Sequence, residues 1–562
     1  MGIDINSKEI DYLLVQIEAE RRRKLADYEN GIEFNYIDPH NNVDKLTLYN
    51  NNIVLARRGC GKTSLILKSI RKIDDITVKC DCQTIRAKSA DDIILHILSA
   101  LVKELKKYTN TYYTNQNDKY IEQTCGLIGF FKKHFSRKLK DEKKILSGIE
   151  AYNRYLSKME LLVNNLSRIP EQITVEVVEQ SKESYTSSES KSKHFKASLI
   201  SDISMAGDIS FASIESKIST EADIISDWNS SIETNRSTET GSKYTKVTQK
   251  SEEIVKLKEK IVELLKLNRA LFNKGVMLFL DDFYQITRSN HPAILQYFHD
   301  IFKETPSGTF CYKLVALPSS IKINNDGEHI FSVKDDFSQI SIDYDLSELD
   351  NVQNHLVDTL LALDKDNRIK RADFNALFSN DETLKFLVLA TGGVPRDFMT
   401  SFGEAVNISR ASGKKTITKD HIYGVIRNLR EDKEKNYEAD SDLSIDKIEK
   451  AVTIINTQVV DGLKTSVILY PIEKAEQHEV LLRNLINLRY LHVIKDQTTS
   501  EKTKQACRAY LVDMTFYACN RMPQNFEFCR FWERNKLSRV LDNLRRVPVW
   551  NFSDEDFQDI IQ

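Results

Sequence analysis

The chain has 562 residues, 41% of them hydrophobic, and a formal net charge of -2. This length predicts roughly three or four domains, and the composition is typical of a soluble protein with several hydrophobic cores. The near-neutral charge excludes a globally basic protein, so any basic surface must be local. No apolar run approaches the roughly 18 residues of a membrane span, and the cysteines are too scattered for a zinc ribbon or a disulfide framework. We therefore expect a reduced, cytoplasmic protein without a membrane partner.

A strand, a glycine-rich loop and a helix follow one another early in the chain. Residues 53–56 form a short apolar run, and residues 64–70 have helical spacing. Between them, glycines allow phosphate oxygens to approach the backbone, and the N-terminus of the following helix favours an anion. This pattern predicts a P-loop that binds ATP. The predicted nucleotide-binding residues are Ala56, Arg57, Arg58, Gly59, Cys60, Gly61, Lys62, Thr63 and Ser64.

Individual residues of this loop have separate predicted roles. Lys62 is expected to reach the β- and γ-phosphates, and the Thr63 hydroxyl is expected to bind Mg²⁺. Ala56 stands where the usual motif has its first glycine. Because alanine is small, we expect the loop to tolerate it.

The next elements predict the fold class. Residues 76–80 alternate as a strand does, and residues 91–107 have the spacing of an amphipathic helix. Strands that alternate with helices predict an α/β fold, with a mainly parallel sheet covered by helices on both faces.

Residues 108–250 interrupt this alternation. Residues 144–169 have the pattern of one long helix, and residues 181–250 are rich in Ser, Thr, Lys and Glu. Around residues 198–218 a helical stripe and short strands fit almost equally well, so both interpretations stay open. The insertion is expected to be partly flexible and solvated, or to be an arm that binds an effector protein. The helical stripe would consist of Ile200, Ile203, Phe211, Ile214 and Ile218.

Regular structure returns with a helical stripe at residues 254–267 and an apolar run at residues 275–280. The run is suited to a strand buried on both faces, and it ends in Asp281 and Asp282. Asp281 is predicted to hold Mg²⁺ through water, and Asp282 is predicted to polarise the attacking water. Aspartate is one methylene shorter than the glutamate often found at the second acidic position. This difference is expected to affect the rate of hydrolysis more than nucleotide binding.

Two later turns place further polar residues near the predicted site. A strand at 313–317 is followed by Ser319, which is predicted to orient the attacking water, with Ser320 as the alternative. An ordinary strand-end turn explains these serines equally well. Residues 390–398 then combine two glycines and a proline at the start of a helix. Arg396 at that position is predicted to contact the phosphates from a helical lid, the alternative being a surface arginine beside a structural turn.

The order of P-loop, acidic strand, polar strand end, helical lid and C-terminal module resembles the AAA+ and STAND ATPases. It is most similar to the ORC/Cdc6-like branch and its bacterial relatives, over about residues 49–107 and 252–430. The resemblance implies a helical lid and often a winged helix. It also implies Walker A roles for Lys62 and Thr63, Walker B roles for Asp281 and Asp282, sensor 1 for Ser319 and sensor 2 for Arg396. The expected units are residues 1–48, an ATPase core at 49–345, a lid at 346–435 and a basic winged-helix-like module at 436–562.

Many AAA+ proteins supply an arginine finger in trans. No arginine occurs between Arg288 and Arg368, so Arg288, Arg57 or Arg58 could take that role. The resemblance thus implies a homo-oligomeric ATPase that is slow or stimulated by a partner.

The C-terminal module has a basic surplus. Between residues 480 and 550, 13 basic residues stand against 6 acidic ones. Such a surface could contact the phosphates of duplex DNA, or it could be a solvated or protein-docking face. The predicted elements are helices at 445–460 and 479–490 and strands at 467–469, 491–494 and 508–512.

Two functions follow from these features. The first is an ATPase that couples its nucleotide state to DNA binding or sensing. The second is a slow, nucleotide-switched scaffold that recruits a protein effector through its insertion. Bacterial relatives with large insertions often belong to anti-phage defence systems, so the resemblance also implies a defence role. ATP is favoured mildly over GTP because the chain lacks a guanine-reading Asn-Lys-x-Asp string.

Overall fold

The computed structural model describes residues 3–22, 36–124, 137–168, 172–176, 211–234, 245–318, 320–323, 332–344, 346–435, 443–533 and 542–561. Its strands are β1 (Asn52–Leu55), β2 (Ile76–Asp81), β3 (Gln172–Glu176), β4 (Thr245–Gln249), β5 (Val276–Asp281), β6 (Phe310–Ala316), β7 (Ser338–Ser341), β8 (Val467–Pro471), β9 (Leu491–Thr499) and β10 (Ala506–Val512).

The helices belong to four regions: an N-terminal segment, the core with its insertion, a lid and a C-terminal module. They are α1 (Lys8–Arg22), α2 (Asn42–Leu46), α3 (Lys62–Lys72), α4 (Ala90–Thr124), α5 (Arg137–Ser167), α6 (Phe211–Thr234), α7 (Lys250–Phe272), α8 (His291–Glu304), α9 (Val333–Asp336), α10 (Leu349–Leu361), α11 (Arg371–Ala376), α12 (Asp381–Ala390), α13 (Pro395–Ala411), α14 (Lys419–Lys435), α15 (Ile445–Ile454), α16 (Ile472–Gln477), α17 (Glu479–Asn487), α18 (Asp542–Arg546) and α19 (Asp554–Ile561).

A five-stranded sheet in the order β2-β5-β6-β1-β7 forms the centre of the molecule, and its neighbouring strands are parallel. Every residue of β5 and β6 is buried, because helices cover both faces of the sheet. Leu278 faces one core with the insertion, whereas Phe279 faces the other with α3. The predicted α/β class is confirmed. Since the strands are parallel, their carboxyl ends meet at one edge of the sheet, where ligands of such folds bind.

A buried lysine fixes the opposite end of the sheet. Lys313 on β6 donates hydrogen bonds from Nζ to the Leu48 carbonyl and to Asn52 Oδ1, each at 2.6 Å. Burial lowers the pKa of Lys313 to about 8. These bonds tie the segment before β1 to the central strand, which orients β1 and the loop after it.

The insertion is largely helical where the structure describes it. The helix predicted at 91–107 is confirmed and continues to Thr124 within α4, and the helix predicted at 144–169 begins at Arg137 within α5. Ile218 is buried on α6, which supports the helical interpretation from Phe211 onward. Residues 177–210, including Ile200 and Ile203, lie outside the described residues. A two-stranded antiparallel ribbon of β3 and β4 leads back to α7.

The lid and the C-terminal module share one hydrophobic core with α1. The module contains α15, a π-helical turn at Ile455–Leu463, β8, α16, α17, β9 and β10 in that order. Its three strands form an antiparallel sheet in the order β8-β10-β9. Because the core is continuous, the module is packed firmly against the lid. Among the described residues, no helix is long and apolar enough to cross a membrane.

Candidate nucleotide site

The glycine-rich loop connects β1 to α3 at the carboxyl edge of the sheet. Gly59 and Gly61 have φ of 90° and 85°, a left-handed backbone that favours glycine. A Cβ at Gly59 would lie 2.8 Å from Val394 Cγ1 and 3.1 Å from Arg396 Cβ. Gly59 is therefore required by its backbone and by the lid helix that packs on it.

Lys62 begins α3 and folds back over the loop. Its Nζ donates to the carbonyls of Ala56 at 2.9 Å and Arg57 at 3.2 Å. Lys62 is buried, and burial lowers the pKa of its ammonium group. Ala56, which follows β1 at the start of the loop, is fully buried.

Thr63 and the acidic end of β5 come together in the structure. The Thr63 hydroxyl donates to Asp281 Oδ2 at 3.1 Å. Asp281 is buried, and burial, with Asp282 beside it, raises the pKa of Asp281 to about 6. A hydroxyl and a carboxylate at the head of a phosphate loop are the oxygen ligands that Mg²⁺ uses with nucleotide phosphates. The residues present thus fit a magnesium ion.

Asp282 has a left-handed backbone, with φ of 50°. Its amide donates to Asp281 Oδ1 at 3.1 Å, which closes a tight turn after the strand. Asp281 therefore ends the strand, whereas Asp282 begins the turn after it.

The lid places Arg396 beside the phosphate loop. Helix α13 starts at Pro395, and the Arg396 amide donates to the Gly59 carbonyl at 3.3 Å. Ser319 lies outside the described residues. The Ser320 hydroxyl donates to the Leu317 carbonyl at 2.7 Å and so closes the turn after β6. Of the two serines, Ser320 is thus engaged in the turn itself.

A cavity of about 820 Å³ opens above the loop. The N-terminal segment, the loop, the lid and the C-terminal module all contribute to its wall. Its polar and charged lining includes Glu20, Asp38, His40, Arg58, Thr63, Ser64, His355, Arg396, Asp397, Asp432, Lys433 and Arg489. Such a volume suits a nucleotide-sized ligand.

Arg57 turns away from this cavity into a buried network that the sequence did not predict. Its backbone amide and Nε donate to Asp343 Oδ2 at 2.7 and 3.2 Å. Its Nη1 donates to the Gly392 carbonyl at 2.8 Å and lies 3.1 Å from His492 Nδ1. Cys60 Sγ also donates to Asp343, at 2.8 Å to Oδ1. The phosphate loop is thus bonded to β7's end, the lid and the C-terminal module at once.

The network continues inside the C-terminal module. Because guanidinium only donates, His492 Nδ1 accepts from Arg57, and His492 Nε2 donates to Asp513 Oδ2 at 2.8 Å. Lys433 Nζ lies 2.7 Å from the same Asp513 oxygen. Burial lowers the pKa of His492, so the neutral form is favoured. Arg489 pairs with Asp397, the residue after Arg396.

These contacts bear on which arginine could act as a substitute arginine finger. Arg57 is 7% exposed and bonded within its own chain, so in this arrangement it does not reach another subunit. Arg288 Nη2 lies 3.7 Å from Glu479 Oε1 on α17. Arg58 lines the cavity.

Comparisons with known proteins add little. No family model matches the sequence, and no curated protein matches it. A crystal structure of Cdc6p from Pyrobaculum aerophilum is similar over 95% of this chain and 97% of that chain, with 12% identity and a TM-score of 0.30. A likeness at that TM-score carries no argument. The parallel sheet and the loop at its edge are consistent with a P-loop NTPase core.

Proposed function

We propose that this protein is an ATPase of the AAA+/STAND type that binds ATP with Mg²⁺ and transmits its nucleotide state to the C-terminal module. The observation that carries this proposal is the contact between Arg57 of the phosphate loop and His492 of the module. The loop that would bind phosphate is thus the same loop that contacts the C-terminal module.

Separate residues would hold the nucleotide and promote hydrolysis. Lys62 and the loop amides would bind the phosphates, and Thr63 with Asp281 would hold Mg²⁺. Asp282 would orient the attacking water, as would Ser319, and Arg396 would meet the phosphates from the lid. The closeness of Thr63 to Asp281 and of Arg396 to Gly59 supports these roles.

The coupling follows from the chemistry of a buried polar network. Each bond around Arg57 and Asp513 is shielded from water, so breaking one leaves a charged group unsatisfied. If the loop moves when it binds phosphate, the hydrogen bonds of the network must either all persist or break together. Packed networks of this kind favour two discrete arrangements over a gradual change. We propose that bound nucleotide selects between them, as expected of the slow ATPase that the resemblance implies.

The direct test is nucleotide binding and turnover in Lys62→Ala beside Lys68→Ala. Lys68 is exposed on the same helix, so its loss removes an equal charge away from the loop. We expect wild type and Lys68→Ala to bind Mg²⁺-ATP and hydrolyse it, and Lys62→Ala to lose both properties. Equal binding by all three proteins would refute the proposal.

DNA binding is a second candidate function. The order helix, strand, two helices and a β-hairpin supports a winged-helix interpretation of the C-terminal module. Lys502 and Lys504 are exposed at the tip of its hairpin, whereas Arg483 and Asn484 on α17 are buried. We therefore propose that duplex DNA would be contacted by the hairpin tip and not by α17. Binding that weakens steeply with salt and is lost in Lys502→Ala/Lys504→Ala is expected; salt-independent or unchanged binding would contradict it.

The other predictions from the sequence stay predictions. Homo-oligomerisation, effector binding by the insertion, a part in anti-phage defence and a cytoplasmic location are not tested by any described contact.

A further inference from the structure

A lysine outside the P-loop motif places a buried ammonium nitrogen beside the predicted magnesium ligands. Lys79 is on β2, and its side chain is 13% exposed. Its Nζ lies 3.7 Å from Asp281 Oδ2. No hydrogen-bond acceptor is within reach of this Nζ among the residues that the structure describes. A buried ammonium group with unused donors is costly, which points to a role beyond packing.

The neighbours of Lys79 define its place in the site. The same Asp281 oxygen that Lys79 approaches accepts the Thr63 hydroxyl at 3.1 Å. The ammonium group and the predicted magnesium ligand Thr63 therefore share one carboxylate oxygen. Since Lys79 and Asp81 are two residues apart on a strand, they point to the same face of the sheet.

Charge balance gives the reason for a lysine here. Strands β2 and β5 end side by side, with Asp81 opposite Asp281 and Asp282 immediately after it. Three carboxylates thus meet at one edge of the sheet. A positive charge beside them offsets their repulsion before a metal ion arrives, and the same charge attracts a triphosphate.

We propose that Lys79 is a second cation of the phosphate site. In the protein without nucleotide and metal, its charge takes the place of Mg²⁺. Lys79 thereby sets the Mg²⁺ concentration that the site requires. This inference depends on the proposed ATP–Mg²⁺ function. With Lys79 present, an entering Mg²⁺ ion meets a like charge close to its ligand. Without Lys79, the carboxylates hold Mg²⁺ more tightly, whereas metal-free ATP loses an attracting charge.

The experiment measures binding and not turnover. A fluorescent, non-hydrolysable ATP analogue is titrated in EDTA and then across a series of free Mg²⁺ concentrations, with wild type, Lys79→Met and Lys72→Met. Lys72 forms an exposed ion pair with Asp44, so its variant removes the same charge outside the site. Thermal unfolding with Mg²⁺ alone supplies a second measurement.

For Lys79→Met we expect the half-saturating Mg²⁺ concentration to fall about tenfold, since one charge acts on a divalent ion a few ångströms away. Binding of the analogue in EDTA should weaken. Mg²⁺ alone should raise the unfolding temperature of Lys79→Met more than that of wild type. Lys72→Met should match wild type in all three measurements, and Lys79→Arg should keep the wild-type Mg²⁺ requirement.

A Lys79→Met protein that folds only with Mg²⁺ also supports the inference, because the metal then replaces the ammonium group. Identical Mg²⁺ curves for Lys79→Met and Lys72→Met would overturn it, as would a Lys79→Met protein that Mg²⁺ fails to rescue. If wild type itself bound no analogue, the proposed function would fail. If wild type bound it and the two variants were alike, the Lys79 inference alone would fail.

Discussion

Two sides of the phosphate loop differ in how they are built. The side that faces the cavity consists of residues close together in sequence, among them Gly59, Thr63 and Ser64, and Asp281 of one strand is bonded to Thr63. The side that faces inward joins Arg57 to Asp343, Gly392 and His492. The proposed binding of phosphate would thus be a local property of one loop, whereas the proposed coupling would depend on residues hundreds of positions apart. The following predictions separate these two properties.

The largest effect is expected at the acidic end of β5. Asp282→Asn removes the carboxylate that we propose orients water but keeps its size, so turnover should fall about a hundredfold to ten-thousandfold. Mg²⁺-ATP affinity should change little, because Asp282 is not a predicted metal ligand. Steady-state turnover beside equilibrium binding checks this. An equal loss of turnover and affinity would show that Asp282 binds nucleotide instead.

On the inward side, Gly392 is the tightest position. It has φ of 56°, and an added Cβ would overlap the His492 ring. Gly392→Ala should therefore lower the free energy of unfolding by about 1–2 kcal/mol for the backbone and by roughly 1–3 kcal/mol more for the overlap. Urea unfolding measures the change.

Gly413→Ala is the matched control for that substitution. Gly413 has φ of 69°, with nothing within 4 Å of an added Cβ, so it should show the backbone cost alone. Equal destabilisation by Gly392→Ala and Gly413→Ala would mean that the His492 ring moves aside at no cost in free energy.

Removal of His492 tests the coupling itself. His492→Ala removes one partner from each of Arg57 and Asp513, which keep Asp343 and Lys433 respectively, and should cost about 1–3 kcal/mol of stability. It should also change ATP affinity, about tenfold for each 1.4 kcal/mol of coupling. His478 is the control, since it is buried in the same module and bonded to Tyr470 at 2.6 Å. His478→Ala that changed ATP affinity as much as His492→Ala would argue against a specific link.

The smallest expected effect concerns the pH dependence of the free energy of unfolding. Burial lowers the pKa of His492, so the unfolded chain binds this proton more readily than the folded protein does. Stability should therefore fall as the pH drops below about 6.5, the ordinary value for histidine. His492→Gln should lose that part of the dependence. Parallel curves of unfolding free energy against pH for wild type and His492→Gln would contradict this.

The difference between the two sides also explains what the sequence could predict. The P-loop, the strand before Asp281 and the turn before Arg396 are local patterns of spacing and backbone freedom. The structure brings the loop and Arg396 to one cavity and bonds Asp281 to Thr63 of the loop. Arg57 and His492 carry no such pattern, because their role arises when β1, the lid and β9 meet. Helix α16 was missed for a related reason, since six residues give too little helical periodicity.

Hydrogen exchange along β9 tests the central claim most directly, with and without Mg²⁺-ATP, in wild type and in Arg57→Ala. The account predicts that nucleotide changes amide exchange around His492 in wild type and that Arg57→Ala abolishes this change while β8 stays unaffected in both. Unchanged exchange in β9 of a wild-type protein saturated with nucleotide would contradict the account, because the phosphate loop and the C-terminal module would then be independent.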